Sequence, residues 1–490
     1  MSEKAIDGLS PRILWQKFYE ISRISRPSKK EERILQYLKD FADDLSLRTE
    51  QDSAGNIVVF VPATPGYEDS RTVILQSHVD MVCEKNKGTE HDFDRDPIKL
   101  IRDEGWIKAE GTTLGSDNGI GVAASLSIAL DEDVVHGPLE LLFTVDEETG
   151  LTGANNLQPG FITGKTLLNL DCEELGAFYV GCAGGQDTVG ILKSEKTNAP
   201  QGWVAYELVI TGLKGGHSGL DIHSGRANAI KLLGRLLRKL EAIDYQVAEI
   251  TGGSKRNAIP READATILLS PSDMETAENV ANGFIEEVLA EYKKNDSGLR
   301  IEFNRKEKAF DKILTKTFGA KLIDVILALP HGIVAMSPDI PNLVETSTNL
   351  ATIVMGDDEI KVETSQRSSI ESARAYIAGS VESVFKLADA EIIFAGRYPG
   401  WKPNLTSEIL QISRGVYKKL FGEEPEIKAV HAGLECGIMG DKYPGLDMVS
   451  LGPTIQGAHS PDEKVNTDDV GKFYSLLKGI LLQLASPNYS

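Results

Sequence analysis

Apolar residues recur at helical spacing over residues 13–22 and 31–45, which predicts two amphipathic helices early in the chain. Ser28 followed by Glu31 predicts an N-cap with its capping-box glutamate for the second of them. The period then changes. Short runs rich in leucine and β-branched residues, at 57–61, 72–76, 139–145 and 166–170, predict strands buried on both faces, with a helix at 121–130 between them. Such strands alternating with helices predict an α/β sheet that is at least partly parallel.

A different pattern begins at the glycine-rich GCAGGQD of residues 181–187. Strand-like runs at 206–210, 265–269, 299–303, 344–355 and 359–363, with amphipathic helices at 227–242 and 277–293, predict an α+β block in which Gly356-Asp357-Asp358 is a hairpin turn. Helix and strand alternate again after GRYPG at 396–400, up to a helix at 470–484. The expected architecture is a two-domain α/β fold. A discontinuous domain of residues 1–186 and 401–490 carries an inserted α+β lid of residues 187–400.

Composition acts mainly by exclusion. A chain of 490 residues, 41% of them hydrophobic, is too long for one core and suits two or three compact units. Lys and Arg number 52 against 73 Asp and Glu, a formal net charge of −21, and that field opposes binding to nucleic acid or anionic membranes. No run of about 18 apolar residues is present to span a membrane. Glu3 and Asp7 stand where a signal peptide needs a basic region, so a cytoplasmic location is expected. Cys83, Cys172, Cys182 and Cys436 have no CxxC spacing and are expected to be buried thiols.

The chemistry gathers at the strand ends. Gln76-Ser77-His78-Val79-Asp80 ends one strand, and residues two apart on a strand face the same way, so Asp80 can hold the His78 ring from behind. Val145 leads into Asp146-Glu147-Glu148, Leu170 leads into Asp171-Cys172-Glu173-Glu174, and Gly115-Ser116-Asp117-Asn118-Gly119 opens a helix. In open α/β sheets the carboxyl ends of strands meet in the ligand crevice. His78, Asp117, Glu148 and Asp171 are therefore expected to converge, with His459 of GAHSP as a fifth member from the returning segment. Two histidines and several carboxylates suit Zn²⁺, Co²⁺ or Mn²⁺. Five ligands exceed the roughly three that one catalytic zinc uses, which points to two metals.

These residues resemble the M20 metallopeptidases, and most closely the aminoacyl-histidine dipeptidase branch. The motifs that carry the likeness are SHVDMVCEK, TLGSDNGIG, FTVDEETGLTGA, LNLDCEE, GGHSGLDIHSGRANAIK, KRNAIPREA, RYPGWKPN, HAGLECG and GAHSPDEKV, in family order from residue 77 to 465. One departure, Gly433-Leu434-Glu435 where many members have Gly-Thr-Asp, favours the dipeptidase branch. The resemblance implies two Zn²⁺ per subunit, one held by His78 and Asp171 and the other by Glu148 and His459, with Asp117 bridging. It makes Asp80 the residue that orients His78 and Glu147 the general base. It assigns His217 to the scissile carbonyl, often across a homodimer, and Asn257 and Arg367 to the oxyanion and substrate carboxylate. The activity implied is hydrolysis of dipeptides, Xaa-His or broader, by a metal-bridged water. The rivals are a deacylase of N-acyl amino acids on the same fold and a non-catalytic metal-binding scaffold, although the base and all five ligands are present. His91, His136, His223, His331 and His431 are expected to be mostly structural.

Overall fold

In the computed structural model, which describes residues 2–486, the chain divides into two compact units. One comprises residues 1–182, 401–429 and 434–490, the other 183–400 with 430–433. Residue 1 and residues 487–490, included in the expected discontinuous domain, lie outside the described residues.

The first unit is built on an eight-stranded sheet. Its centre is parallel and runs in the order Leu139–Thr144, Val73–His78, Thr166–Asn169, Asp447–Ser450. Ile57–Val61 adds to it antiparallel and is itself flanked by Arg48–Gln51, while Ala177–Cys182 pairs antiparallel on the other side. The runs Val73–His78 and Leu139–Thr144 are buried at every position, as strands covered on both faces must be. Helices Arg12–Ser22, Glu32–Asp44, Ser116–Leu130, Glu408–Phe421 and Thr467–Ala485 supply the cover. Because the central strands are parallel, their carboxyl ends lie along one edge of the sheet.

A four-stranded sheet of Leu100–Asp103, Trp106–Ala109, Ile455–Gln456 and Lys464–Asn466 completes this unit. Its strands are short and half polar, which is why the apolar pattern did not reveal them. The loop between its last two strands bears His459.

The second unit is antiparallel. Its sheet runs Arg300–Lys306, Val204–Thr211, Ala263–Leu269, Tyr245–Gly252, Val344–Met355, Glu359–Ser368, Gly184–Lys193, Glu391–Tyr398, and Gly332–Met336 also pairs with Val344–Met355. Val344–Met355 and Glu359–Ser368 are joined by the expected turn, closed by Gly356 N–H to the Glu359 carbonyl at 2.8 Å. The helices Ala229–Leu240, Met274–Tyr292, Lys316–Ala328 and Glu371–Leu387 contribute to the same core. The glycine-rich stretch that reads as a break is in fact the start of the strand Gly184–Lys193. A Cβ on Gly184 would stand 2.4 Å from the Gly400 nitrogen, so glycine permits the chains to approach there.

Two local expectations are corrected. Ser28 caps no helix: its hydroxyl donates to Asp80 Oδ2 at 2.8 Å, and Glu31 accepts the backbone N–H of Asp146 at 3.0 Å. Those partners come from just beyond the ends of two sheet strands and outbid the local capping pattern. Of the four free cysteines, Cys172, Cys182 and Cys436 are buried, but Cys83, in a loop beyond the strand Val73–His78, is half-buried.

Candidate metal centre

Five side chains from separated parts of the chain meet at the carboxyl edge of the first unit's sheet. His78 ends its strand, and its Nε2 lies 3.0 Å from Asp117 Oδ1 and 3.3 Å from Asp171 Oδ1. His459 Nε2 lies 3.2 Å from Asp117 Oδ2 and 2.9 Å from Glu148 Oε2. Asp117 thus presents one oxygen to each histidine. Two donor sets, His78–Asp117–Asp171 and Asp117–Glu148–His459, each gather their ligand atoms within 4.8 Å and share that residue.

The electrostatics follow from packing carboxylates and imidazoles together. Burial pushes the Asp117 carboxyl up, but hydrogen bonds from His459 and His78 outweigh it and hold the group far below the usual carboxylate range. Asp117 and Glu148 push His459 up to about 11. Burial raises Asp171 to about 6 and lifts Glu147 well above its ordinary value. The protein alone therefore holds both histidines towards their protonated forms and drives Asp171 and Glu147 towards their neutral ones.

The donor set fits a pair of divalent cations. It offers two imidazole nitrogens and three carboxylates, one of them shared, as a two-metal centre requires. Glu148 Oε1 is in addition buried without a hydrogen-bond partner among the described residues, an expensive state for a carboxylate oxygen unless a cation meets it.

The supports of this cluster are specific. Asp80 lies beyond the strand end, yet its Oδ1 stands 3.3 Å from His78 Nδ1. It also accepts the backbone N–H groups of Glu147 at 3.1 Å and Glu148 at 3.2 Å, so it orders two elements at once. Glu147 and Glu148 do not continue the strand. They begin one helical turn, Glu147–Gly150, after Asp146 in the left-handed conformation at φ 50°. Their side chains diverge because successive helical residues are rotated by about 100°. Asp146 is the structural member of the acidic triplet, accepting the hydroxyls of Thr149 and Thr152. Asn118 ties Asp171 to its neighbour through Nδ2, at 2.6 Å from Asp171 Oδ1 and 2.8 Å from the Leu170 carbonyl. Gly121 must lack a side chain, since a Cβ would fall 2.2 Å from Asn118 Oδ1.

Two buried charges that support the centre were not singled out from the sequence. Arg26 donates to the Val79 carbonyl at 2.9 Å, to the Asp80 carbonyl at 2.8 Å and to the Gly115 carbonyl. Glu463 accepts the N–H groups of Leu114, Gly115 and Ser116 at 2.8, 3.0 and 2.7 Å and the Ser116 hydroxyl at 2.6 Å. Glu463 stands in the same motif as His459, four residues on, which is the only local hint. Replacing Glu463 by Ala would leave four buried N–H groups, those of residues 114–117, without this acceptor and Arg26 short of a counter-charge. The expected result is a loss of roughly 3–5 kcal/mol, as for breaking a buried charge network. Urea unfolding of the metal-free protein measures it, and an unchanged midpoint would refute the assignment.

The remaining candidates belong to the second unit. His217 and Asn257 are neighbours, because Gly216–His217 pairs with Ala258–Ile259 and Ser218 N–H donates to the Asn257 carbonyl at 2.9 Å. His217 Nδ1 accepts the N–H groups of Gly219 and Leu220 at 3.2 and 3.0 Å, which leaves the ring proton on Nε2. Arg367 is buried, within the strand Glu359–Ser368. Its Nη1 donates to the Tyr398 hydroxyl at 2.7 Å, and its Nε is buried without a hydrogen-bond partner among the described residues. His431 is buried against Ser347 at 2.7 Å, and burial, with Arg367 nearby, pushes it down to about 3.

Comparison with known proteins gives a consistent pattern. Residues 74–483 match the family described as peptidase family M20/M25/M40. The chain is 41% identical over 488 residues to the cytosol non-specific dipeptidase of Escherichia coli (strain K12), covering 99% of each. Among solved structures it is similar to the aminoacylhistidine dipeptidase from Vibrio alginolyticus, with TM-score 0.92, 41% identity and 99% of each chain covered. The aminopeptidase PepT from Bacillus cereus shares the fold at TM-score 0.59 and 16% identity, over 98% of this chain and 100% of that one.

Proposed function

The chain belongs to peptidase family M20/M25/M40 and is a metal-dependent peptidase; from that premise we propose that it cleaves dipeptides, Xaa-His among a broader set, with two Zn²⁺ per subunit. The observation that carries the two-metal reading is Asp117, whose oxygens face His78 and His459 separately. His78 and Asp171 would hold one ion, Glu148 and His459 the other, with Asp117 between them. Co²⁺ and Mn²⁺ suit the same nitrogen and oxygen donors. Bound there, such ions polarise a carbonyl and bring the pKa of water down towards 7.

The chain's own groups do the rest. Glu147 is the general base: its backbone is pinned to Asp80, and burial raises the affinity of its carboxylate for a proton. It takes that proton from the attacking water and passes it to the leaving amine. Asp80 fixes the His78 ring from behind. His217 is given the scissile carbonyl, in its own chain or from a partner subunit. The role needs a donor, and the Nδ1 contacts of His217 reserve Nε2–H for it. Arg367, buried with Nε unpaired, suits a substrate carboxylate, and Asn257 suits the oxyanion beside His217.

A homodimer joined through the inserted domain and a cytosolic location belong to the same proposal. The second is supported by the name of the Escherichia coli relative, and among the described residues no helix is long and apolar enough to cross a membrane. The rival reading is hydrolysis of N-acyl amino acids. The test compares Gly-His-type and other dipeptides with N-acetyl amino acids on the metal-loaded protein. Dipeptides are expected to be preferred by at least 10²-fold in kcat/KM, since a site built around a polar end group penalises its loss heavily. Preference for the acetylated set would overturn the assignment.

A further inference from the structure

The strands that bear the metal cluster carry a second polar layer one pleat below it. Gln76 stands two residues before His78, Thr144 two before Asp146 and Asn169 two before Asp171. All three are buried, in strands whose other inward positions are mostly leucine, isoleucine, valine and phenylalanine. Polar side chains in such places are costly unless bonded. Here they bond to one another and to one group from outside the sheet centre. Asn169 Nδ2 donates to Gln76 Oε1 at 2.5 Å, and Gln76 Nε2 donates to Thr144 Oγ1 at 3.1 Å and to Glu435 Oε2 at 2.6 Å. The Thr144 hydroxyl donates to the same Glu435 oxygen at 2.8 Å.

Glu435 opens the helix Glu435–Lys442 and is 2% exposed. Its Oε2 therefore ties together the ends of two adjacent strands, one leading to His78 and the other to the Glu147–Glu148 turn. Its Oε1 is buried with no hydrogen-bond partner among the described residues, and the ionisable groups acting on the carboxyl include His78, Asp171 and Asp80. A clamp alone does not require a charge. Glutamine has the same shape and an acceptor oxygen, and it would avoid desolvating a carboxylate. The unpaired buried oxygen is explained if a cation lies above it.

We propose that Glu435 is a positioning residue of the metal centre, outside the five ligands: Oε2 holds the two strand ends in register, and the carboxylate charge strengthens the ion on the His78–Asp171 side. This rests on the ligand assignment above. It makes the two ions unequal in their dependence on Glu435, because His78 and Asp171 stand two residues beyond Gln76 and Asn169 of the layer that Glu435 anchors, whereas His459 comes from the loop of the four-stranded sheet.

The test is titration of the metal-free protein with Co²⁺, followed by calorimetry and visible absorption, on wild type, Glu435→Gln and Glu435→Asp. Glu435→Gln keeps shape and an acceptor; Glu435→Asp keeps charge but shortens the reach. The expected result is two ions on wild type. In Glu435→Gln one ion should bind as in wild type and the other about 10–100-fold more weakly, the usual scale for loss of an outer partner, with an altered Co²⁺ spectrum. Glu435→Asp should retain more affinity than Glu435→Gln. Unchanged affinities and spectrum in Glu435→Gln overturn the proposal alone, as does a Glu435→Asp weaker than Glu435→Gln. Wild type that takes up fewer than two ions overturns the ligand assignment itself, and this proposal with it.

Discussion

Replacing Asp117 by Asn is expected to strip the protein of both metal ions and of all activity that depends on them. Asp117 is the only residue common to the two donor sets, with one oxygen 3.0 Å from His78 Nε2 and the other 3.2 Å from His459 Nε2. An asparagine keeps one acceptor oxygen and turns the other into an NH₂ donor, which repels a cation. Buried His78 and the remaining carboxylates would then lack the shared negative charge that neutralises the ions. An outer partner alone is worth about 10–100-fold in affinity, and the loss of a shared ligand should exceed that at both sites. Elemental analysis after dialysis checks it. Retention of one ion per chain by Asp117→Asn would show that the sites are independent and would sink the bridging role.

The second large effect separates neighbouring residues. Glu147→Gln is expected to keep both ions and lose on the order of 10²- to 10⁴-fold in kcat, as for a missing general base. Glu148→Gln should instead lose the ion on the His459 side, because Glu148 Oε2 lies 2.9 Å from His459 Nε2 and its Oε1 is buried without a partner among the described residues. The difference is set by the helical turn Glu147–Gly150 and by Asp80, which fixes both backbone nitrogens. Metal content and single-turnover rates measured on the same preparations decide between the roles. Equal metal loss in the two variants would make both glutamates ligands and leave the reaction without its base.

Much of this is legible in the sequence. The apolar runs mark the central strands to within a few residues, since a strand buried on both faces cannot hide its composition. The acidic and histidine tips could be read as one site because parallel strands end on one edge. What escaped is informative. Gly184–Lys193 opens on glycines, and its hydrophobic signal is correspondingly weak, although it lies between two partner strands. Ser28 and Glu31 match a capping box, yet both are drawn to the DEE turn, where Asp80 and the Asp146 N–H offer buried partners. Arg26 and Glu463 look like surface charges until their backbone partners are seen.

The sequence by itself determined the fold class, the residues of the candidate donor set and their order along the chain, because these depend on residue type and short-range period. Only the tertiary structure decided that Asp117 faces both histidines, that Glu147 and Glu148 diverge on a helical turn, and that Glu435 bonds to two strand ends below the candidate ligands with one oxygen unpaired among the described residues. Glu435 and Gln76 are 359 positions apart in the chain. Contacts of that range are made by packing, which local pattern does not encode.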